Sequence, residues 1–144
     1  MIYFDTSYLV RLYFEEPGFS VVRELVTTDQ IACGVHGQAE ILSAFHRKFR
    51  EGVITPKAYQ ARLDQFAADR EAGAFHWLPV GPEVLERISA VYASLPRTVY
   101  LRGADALHLA TAAANGFKAV YSHDSHLLAA APHFKLKGLN PIAT

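Results

Sequence analysis

Apolar positions along this chain follow two rhythms. Short unbroken apolar runs alternate with stretches where apolar residues return every third or fourth position. The first pattern belongs to buried strands, the second to amphipathic helices. Ile2-Tyr3-Phe4 is the first run and ends at Asp5. Leu9, Leu12 and Tyr13 then recur at helical spacing, with Thr6 or Ser7 placed to cap that helix and Pro17-Gly18 to break it. Phe19 to Val26 starts a second helix, and Ile31 to Val35 reads as a second buried strand. A helix from Gly37 to Arg50 carries the stripe Ile41, Ala44, Phe45 and Phe49, and Gly52 stops it. Thr55-Pro56 fits an N-cap followed by proline at the first helical position, for a helix reaching about Ala72. Phe75 to Val80 is a third strand. Gly81-Pro82 opens a helix carrying Val84, Leu85, Ile88, Val91 and Tyr92, and Pro96 ends it. After the loop from Arg97 to Gly103 come a helix from Ala104 to Asn115, a strand from Lys118 to Ser122, a short helix from Ser125 to Ala130, and an edge strand at Lys135 to Leu139.

Strands alternating with helices predict an α/β fold over a mainly parallel sheet. With 144 residues and no repeats or linkers, one domain covering 1–144 is expected. A composition of 51% hydrophobic and 19% charged residues excludes a disordered chain. No apolar run approaches the roughly 18 residues of a membrane span. The opening Met1-Ile2-Tyr3-Phe4-Asp5 lacks a basic signal-peptide region, so a cytoplasmic location is expected. The single cysteine, Cys33, lies in an apolar run and reads as a buried, unreactive thiol. Fourteen basic residues balance fourteen acidic ones, which excludes a general polyanion binder. Any nucleic-acid contact must come from a local basic patch.

The acids carry the chemistry. Ligands of open α/β sheets bind beyond the carboxyl ends of the strands. Asp5 directly follows strand one and Asp124 follows strand four. Glu40 and Asp105 stand at the beginnings of otherwise apolar helices. Taken singly, each also fits a helix cap, a turn or a first-turn dipole partner. Taken together at about 5 Å, each pair would repel by about 3 kcal/mol at an effective dielectric of 20, which protons or cations must relieve. Hard oxygen donors favour Mg²⁺ or Mn²⁺. Such an ion activates water and stabilises charge on a phosphodiester oxygen, pointing to phosphodiester hydrolysis.

His123-Asp124-Ser125-His126, with His108 three residues after Asp105, raises a zinc site as a rival, although no matching cluster stands elsewhere. His108 otherwise reads as packed on a helix face, and His36, His46, His76 and His133 receive no role. Basic residues cluster mildly at Arg47, Lys48 and Arg50, at Lys135 and Lys137, and at Arg97 and Arg102. The loop holding Arg97 and Arg102 leads into the Asp105 helix and is the preferred place for an RNA backbone.

Four segments in this order resemble a PIN domain: Asp5-Thr6-Ser7, Ala39-Glu40-Ile41, Ala104-Asp105-Ala106-Leu107-His108-Leu109-Ala110-Thr111-Ala112, and Ser122-His123-Asp124. The nearest likeness is to VapC-type toxins of toxin–antitoxin pairs, over essentially the whole chain. The resemblance implies a three-layer α/β/α sandwich and a ribonuclease in which Asp5, Glu40, Asp105 and Asp124 bind one or two Mg²⁺ or Mn²⁺ ions. Asp5 and Asp105 would be the firmest ligands, and Ser7 matches a hydroxyl position beside the site. It also implies a homodimer, an RNA substrate (often tRNA or another structured target), and a VapB-type antitoxin that blocks the acids, commonly with a basic side chain. His123 beside Asp124, and His36-Gly37 before the Glu40 helix, depart from the usual pattern. Two further readings stay open: an RNA-processing nuclease of the same fold without an antitoxin, and a catalytically weak module that binds protein or RNA. A haloacid-dehalogenase-like phosphatase would need a second acid where Ser7 stands, and no glycine-lysine phosphate loop is present.

Overall fold

The computed structural model describes residues 1–142. In chain order its elements are β1 (Ile2–Tyr3), α1 (Thr6–Val10), α2 (Phe19–Leu25), β2 (Ile31–Gly34), α3 (Gly37–Arg50), α4 (Pro56–Glu71), β3 (Phe75–Leu78), α5 (Pro82–Ser94), α6 (Gly103–Ala114), β4 (Ala119–Tyr121), α7 (Ser125–Ala130), a 3₁₀ turn (Ala131–Phe134) and β5 (Lys137–Leu139). Every described strand pairing is parallel. β1 pairs with β2, and β2 with β3, with Ile2 opposite Ile31 and Ile31 opposite Phe75. β4 pairs with β5, Ala119 opposite Lys137. A parallel bridge between Phe4 and Tyr121 joins the two sets. The strand order is therefore 3-2-1-4-5, and its direction of winding reverses between β1 and β4.

Alternation along the strands builds the two flanking layers. Tyr3 and Val120 face a core formed with Val84 of α5, Leu109 of α6 and Leu127 of α7. Phe4, Ile31 and Cys33 face the opposite core, with Leu9 of α1, Val22 of α2, Phe45 of α3 and Phe66 of α4. Each fully buried aromatic of this kind contributes about 2–3 kcal/mol by leaving water. The α/β/α sandwich is thus a consequence of period-two strands covered by stripes of period 3.6.

Most helix boundaries lie within a residue or two of those the sequence predicts. Thr55 caps α4 by accepting the Ala58 amide (3.1 Å), with Pro56 at its first position. Gly116 follows α6 at φ 79°, a left-handed conformation that glycine adopts without a Cβ penalty. The helix after Asp5 differs in two ways. It ends at Val10, so Leu12 and Tyr13 lie on successive turns, and its cap is Asp5 instead of Thr6 or Ser7. Buried Arg11 bends the chain there: Nη1 donates to the Ser7 carbonyl (2.6 Å) and Nε to the Pro17 carbonyl (2.9 Å).

α3 begins against β2 at a point with no spare room. A Cβ on Gly37 would lie 2.5 Å from the Cys33 sulfur, so glycine lets the helix approach the strand closely. Gly37→Ala should cost about 1–3 kcal/mol, and in a Cys33→Ala background most of that cost should vanish. Urea unfolding of the four proteins measures the coupling. Equal costs in both backgrounds would show that the close approach is not what demands glycine.

Candidate active site

The winding reversal between β1 and β4 opens a crevice at the carboxyl end of the sheet, the usual ligand position of such folds. β1 delivers Asp5 there, and the side chain is only 4% exposed as a residue. Its Oδ1 accepts Ser7 Oγ (2.6 Å) and the Tyr8 amide (3.2 Å), while Oδ2 accepts Ser122 Oγ (2.5 Å). β4 delivers Asp124, whose Oδ1 caps α7 by accepting the His126 and Leu127 amides (2.8 and 3.2 Å). Ser122 links the two: its hydroxyl donates to Asp5 and accepts the Asp124 amide (2.9 Å). Both aspartates are caps and both still face the crevice, because a carboxylate has about four lone-pair positions and a cap uses one or two.

The other two acids come from first helical turns. Glu40, on α3, accepts Thr6 Oγ1 (3.0 Å) and His108 Nε2–H (2.5 Å) on Oε1. Asp105, on α6, is buried and accepts Arg102 Nε–H (3.0 Å) on Oδ2. Arg102 also donates from Nη2 to Asp124 Oδ2 (2.5 Å), so one half-exposed guanidinium spans two of the acids. Asp5, Ser7, Glu40, Arg102, Asp105 and Asp124 all line a single cleft of about 600 Å³, together with Thr6, Arg11, Arg47, His108 and His123.

The electrostatics are uneven. Burial pushes the Asp5 carboxyl above its ordinary range, against the pull of His108 and the two serine hydroxyls. Burial likewise raises Asp105, opposed by the Arg102 hydrogen bond and reinforced by the Asp124 charge. Burial would also raise Glu40, but the hydrogen bond and charge of His108 outweigh it and hold that carboxyl low. Carboxylates gathered in one cleft are oxygen donors, the ligand type that a small hard cation such as Mg²⁺ or Mn²⁺ takes.

Some residues fall where the sequence reading does not put them. Arg97 is exposed and does not line the cleft, unlike Arg102. His126 packs edge-on against Tyr100 (4.9 Å between centroids), outside the cleft. His123 lines it, and its amide donates to Ser7 Oγ (2.8 Å). His108 is more than a packed helical side chain: it is 1% exposed and bonded to Glu40. Its Nδ1 lies 2.7 Å from the Tyr3 hydroxyl, which accepts the Gly34 amide (2.8 Å). His36 approaches Glu40 too, with Nε2 3.7 Å from Oε1. A histidine on an otherwise apolar helix stripe was the available signal for His108. Tyr3 and Ser122 sit within apolar strand runs and gave none.

The chain belongs to the PIN domain family, whose family model matches residues 2–132. Solved structures with the same fold include FitAcB from Neisseria gonorrhoeae, at 16% identity and TM-score 0.74 over 100% of both chains. Another is VapC20 of Mycobacterium tuberculosis, described as a sarcin–ricin loop cleaving toxin, at 18% identity and TM-score 0.70, covering 90% of this chain and 95% of that one. VapBC2 from Rickettsia felis, bound to a promoter DNA fragment, matches at 15% identity and TM-score 0.68, over 97% and 98%. Comparison with curated protein sequences gives no match. No described helix is long and apolar enough to cross a membrane.

Burying Asp5 sets a pH dependence. A carboxyl raised in the folded state loses stability as pH climbs from its unfolded value near 4 to its folded one, and the loss then persists at higher pH. Metal-free Asp5→Asn should therefore melt above metal-free wild type at pH 7 by about 3 °C, the shift that roughly 1 kcal/mol gives in a domain of this size. The gap should close as pH falls toward 4. Differential scanning calorimetry across that range checks this, and a mutant that melts well below wild type at pH 7 would refute the burial argument.

Proposed function

We propose that this protein is a metal-dependent endoribonuclease and the toxin of a toxin–antitoxin pair. One observation carries the reading: Asp5, Glu40, Asp105 and Asp124 converge on one cleft at the sheet's carboxyl edge. In this reading Asp5 and Asp105 hold Mg²⁺ or Mn²⁺ most directly, and Glu40 and Asp124 complete the site. A divalent ion supplies water activation and charge stabilisation on the scissile phosphodiester. Ser7 and Ser122 fix the orientation of Asp5 through their hydroxyl hydrogen bonds. Arg102 and Arg47 give the cleft its local positive charge, suited to an RNA backbone despite zero net charge. The sarcin–ricin loop specificity in the name of VapC20 favours a structured RNA substrate, tRNA included. The VapBC2 likeness favours a VapB-type antitoxin as partner, and the family resemblance a cytoplasmic homodimer.

Cleavage of total cellular RNA by the purified chain tests this directly. Discrete products should appear with Mn²⁺ or Mg²⁺ and disappear with EDTA, and Asp105→Asn should lower the rate at least about 100-fold, the scale of losing a charge-stabilising group. A folded wild type that binds metal yet cuts nothing would favour a binding module instead.

Arg102 supplies a second test. Its guanidinium pairs with two of the proposed ligands and competes with a cation for them. In Arg102→Gln the Mn²⁺ concentration giving half-maximal thermal stabilisation should fall severalfold. An unchanged or higher concentration would show that Arg102 does not compete with the ion.

A further inference from the structure

The second cluster of metal-ligating groups lies on the Glu40 side of the cleft. One ligand atom from each of His36, Glu40 and His108 lies within 4.8 Å of the other two. We propose that these three side chains form a binding site for a borderline transition-metal ion, represented by Zn²⁺ or Co²⁺, distinct in chemistry from the four-carboxylate set with which it shares Glu40. The site does not depend on whether the chain cuts RNA.

The donor set comes first. Two imidazoles and one carboxylate are the ligands of catalytic zinc centres and of other open transition-metal sites, whereas Mg²⁺ prefers oxygen. The separations fit next. Ligand atoms about 2.0–2.1 Å from one ion stand roughly 3–3.5 Å apart in tetrahedral geometry. His36 Nε2 is 3.7 Å and His108 Nε2 is 2.5 Å from Glu40 Oε1, so the observed spacings bracket that value. The two rings lie 4.1 Å apart, centroid to centroid, with both Nε2 atoms near the same oxygen. An ion between His108 and Glu40 needs their 2.5 Å contact to open by roughly 0.5–1 Å.

The outer shell is also built. Metal-bound histidines nearly always have the far ring nitrogen hydrogen-bonded, which fixes the ring and its tautomer. His108 Nδ1 has that partner in the Tyr3 hydroxyl at 2.7 Å, itself held by the Gly34 amide at 2.8 Å. The chain is buried from β2 to α6, so it aims Nε2 at Glu40 from a rigid base. His36 is less constrained. It lies one turn before Glu40, its Nε2 is 3.3 Å from the Ala104 carbonyl, and its Nδ1 is buried without a partner. Coordination through Nε2 puts the ring proton on that nitrogen, so the outer shell is complete at His108 and lacks an acceptor at His36. On binding, the ion replaces the proton between His108 and Glu40, which passes to solvent.

Metal-free full-length protein, titrated with Zn²⁺ by calorimetry and with Co²⁺ by visible absorption, tests the site. The first equivalent of Co²⁺ added to wild type should give the intense visible bands of nitrogen ligation at low coordination number, with binding at the oxygen-only acids following as weak octahedral absorption. His36→Ala, at a partly exposed position where the side chain makes no cap, should weaken Zn²⁺ at least tenfold and lose those bands, while circular dichroism confirms the fold. His126→Ala, outside the cleft, should match wild type. The proposal is overturned by a wild-type Co²⁺ spectrum of the weak octahedral oxygen type at the first equivalent, or by His36→Ala binding Zn²⁺ as wild type does. Loss of Zn²⁺ binding in His126→Ala instead would move the site to the His123–His126 turn and overturn it equally.

Discussion

A carboxylate held almost dry at the end of the central strand is the constraint around which this molecule is arranged. Asp5 has β2 on one side of its strand and β4 on the other. Leaving it there unpartnered would cost several kcal/mol, so the surroundings must supply donors. They come from three directions: the Tyr8 amide at the start of α1, Ser7 beside it, and Ser122 at the end of β4. Satisfying the acid therefore fixes where α1 begins. Through Ser122 and the Asp124 amide, it also fixes where α7 begins.

On the other side of the cleft the same problem has a different answer. Glu40 is met by an imidazole, and the imidazole by a tyrosine whose oxygen takes a strand amide. Burial and hydrogen bonding thus divide the four acids. Asp5 and Asp105 resist their charge, while Glu40 keeps it against His108. The cleft presents a cation with ligands of unequal readiness, and the buried pair gains most when an ion arrives. Arg102 spans Asp105 and Asp124, so those two acids meet a positive charge from their own chain.

Periodicity made the layers legible, because strand alternation and helical stripes follow directly from which side is dry. It failed at α1, where Leu12 and Tyr13 keep helical spacing although Arg11 has already turned the chain. Asp5 and Asp124 could be read from their places after strands, and Glu40 and Asp105 as charges at the starts of apolar helices. Their partners could not, since Ser122 meets Asp5 across 117 positions and Tyr3 meets His108 across 105. A hydroxyl in an apolar strand looks like any other strand residue until the fold supplies its mate. Arg97 and Arg102 make the same point within one loop: equal in composition, they differ because only Arg102 adjoins the α6 terminus where Asp105 waits.

The sheet has a seam. Three strands lie in register on one side and two on the other, and between them the described ladder consists of the Phe4–Tyr121 bridge, with the Asp5 amide donating to the Tyr121 carbonyl (3.1 Å). Asp5 stands on one bank and Asp124 on the other, and the banks are held together by two shared cores, Tyr3 with Val120 on one face and Phe4 with Tyr121 on the other. The seam makes the cleft a property of two pieces in contact, so its geometry answers to the packing of both shared cores as much as to the acids themselves.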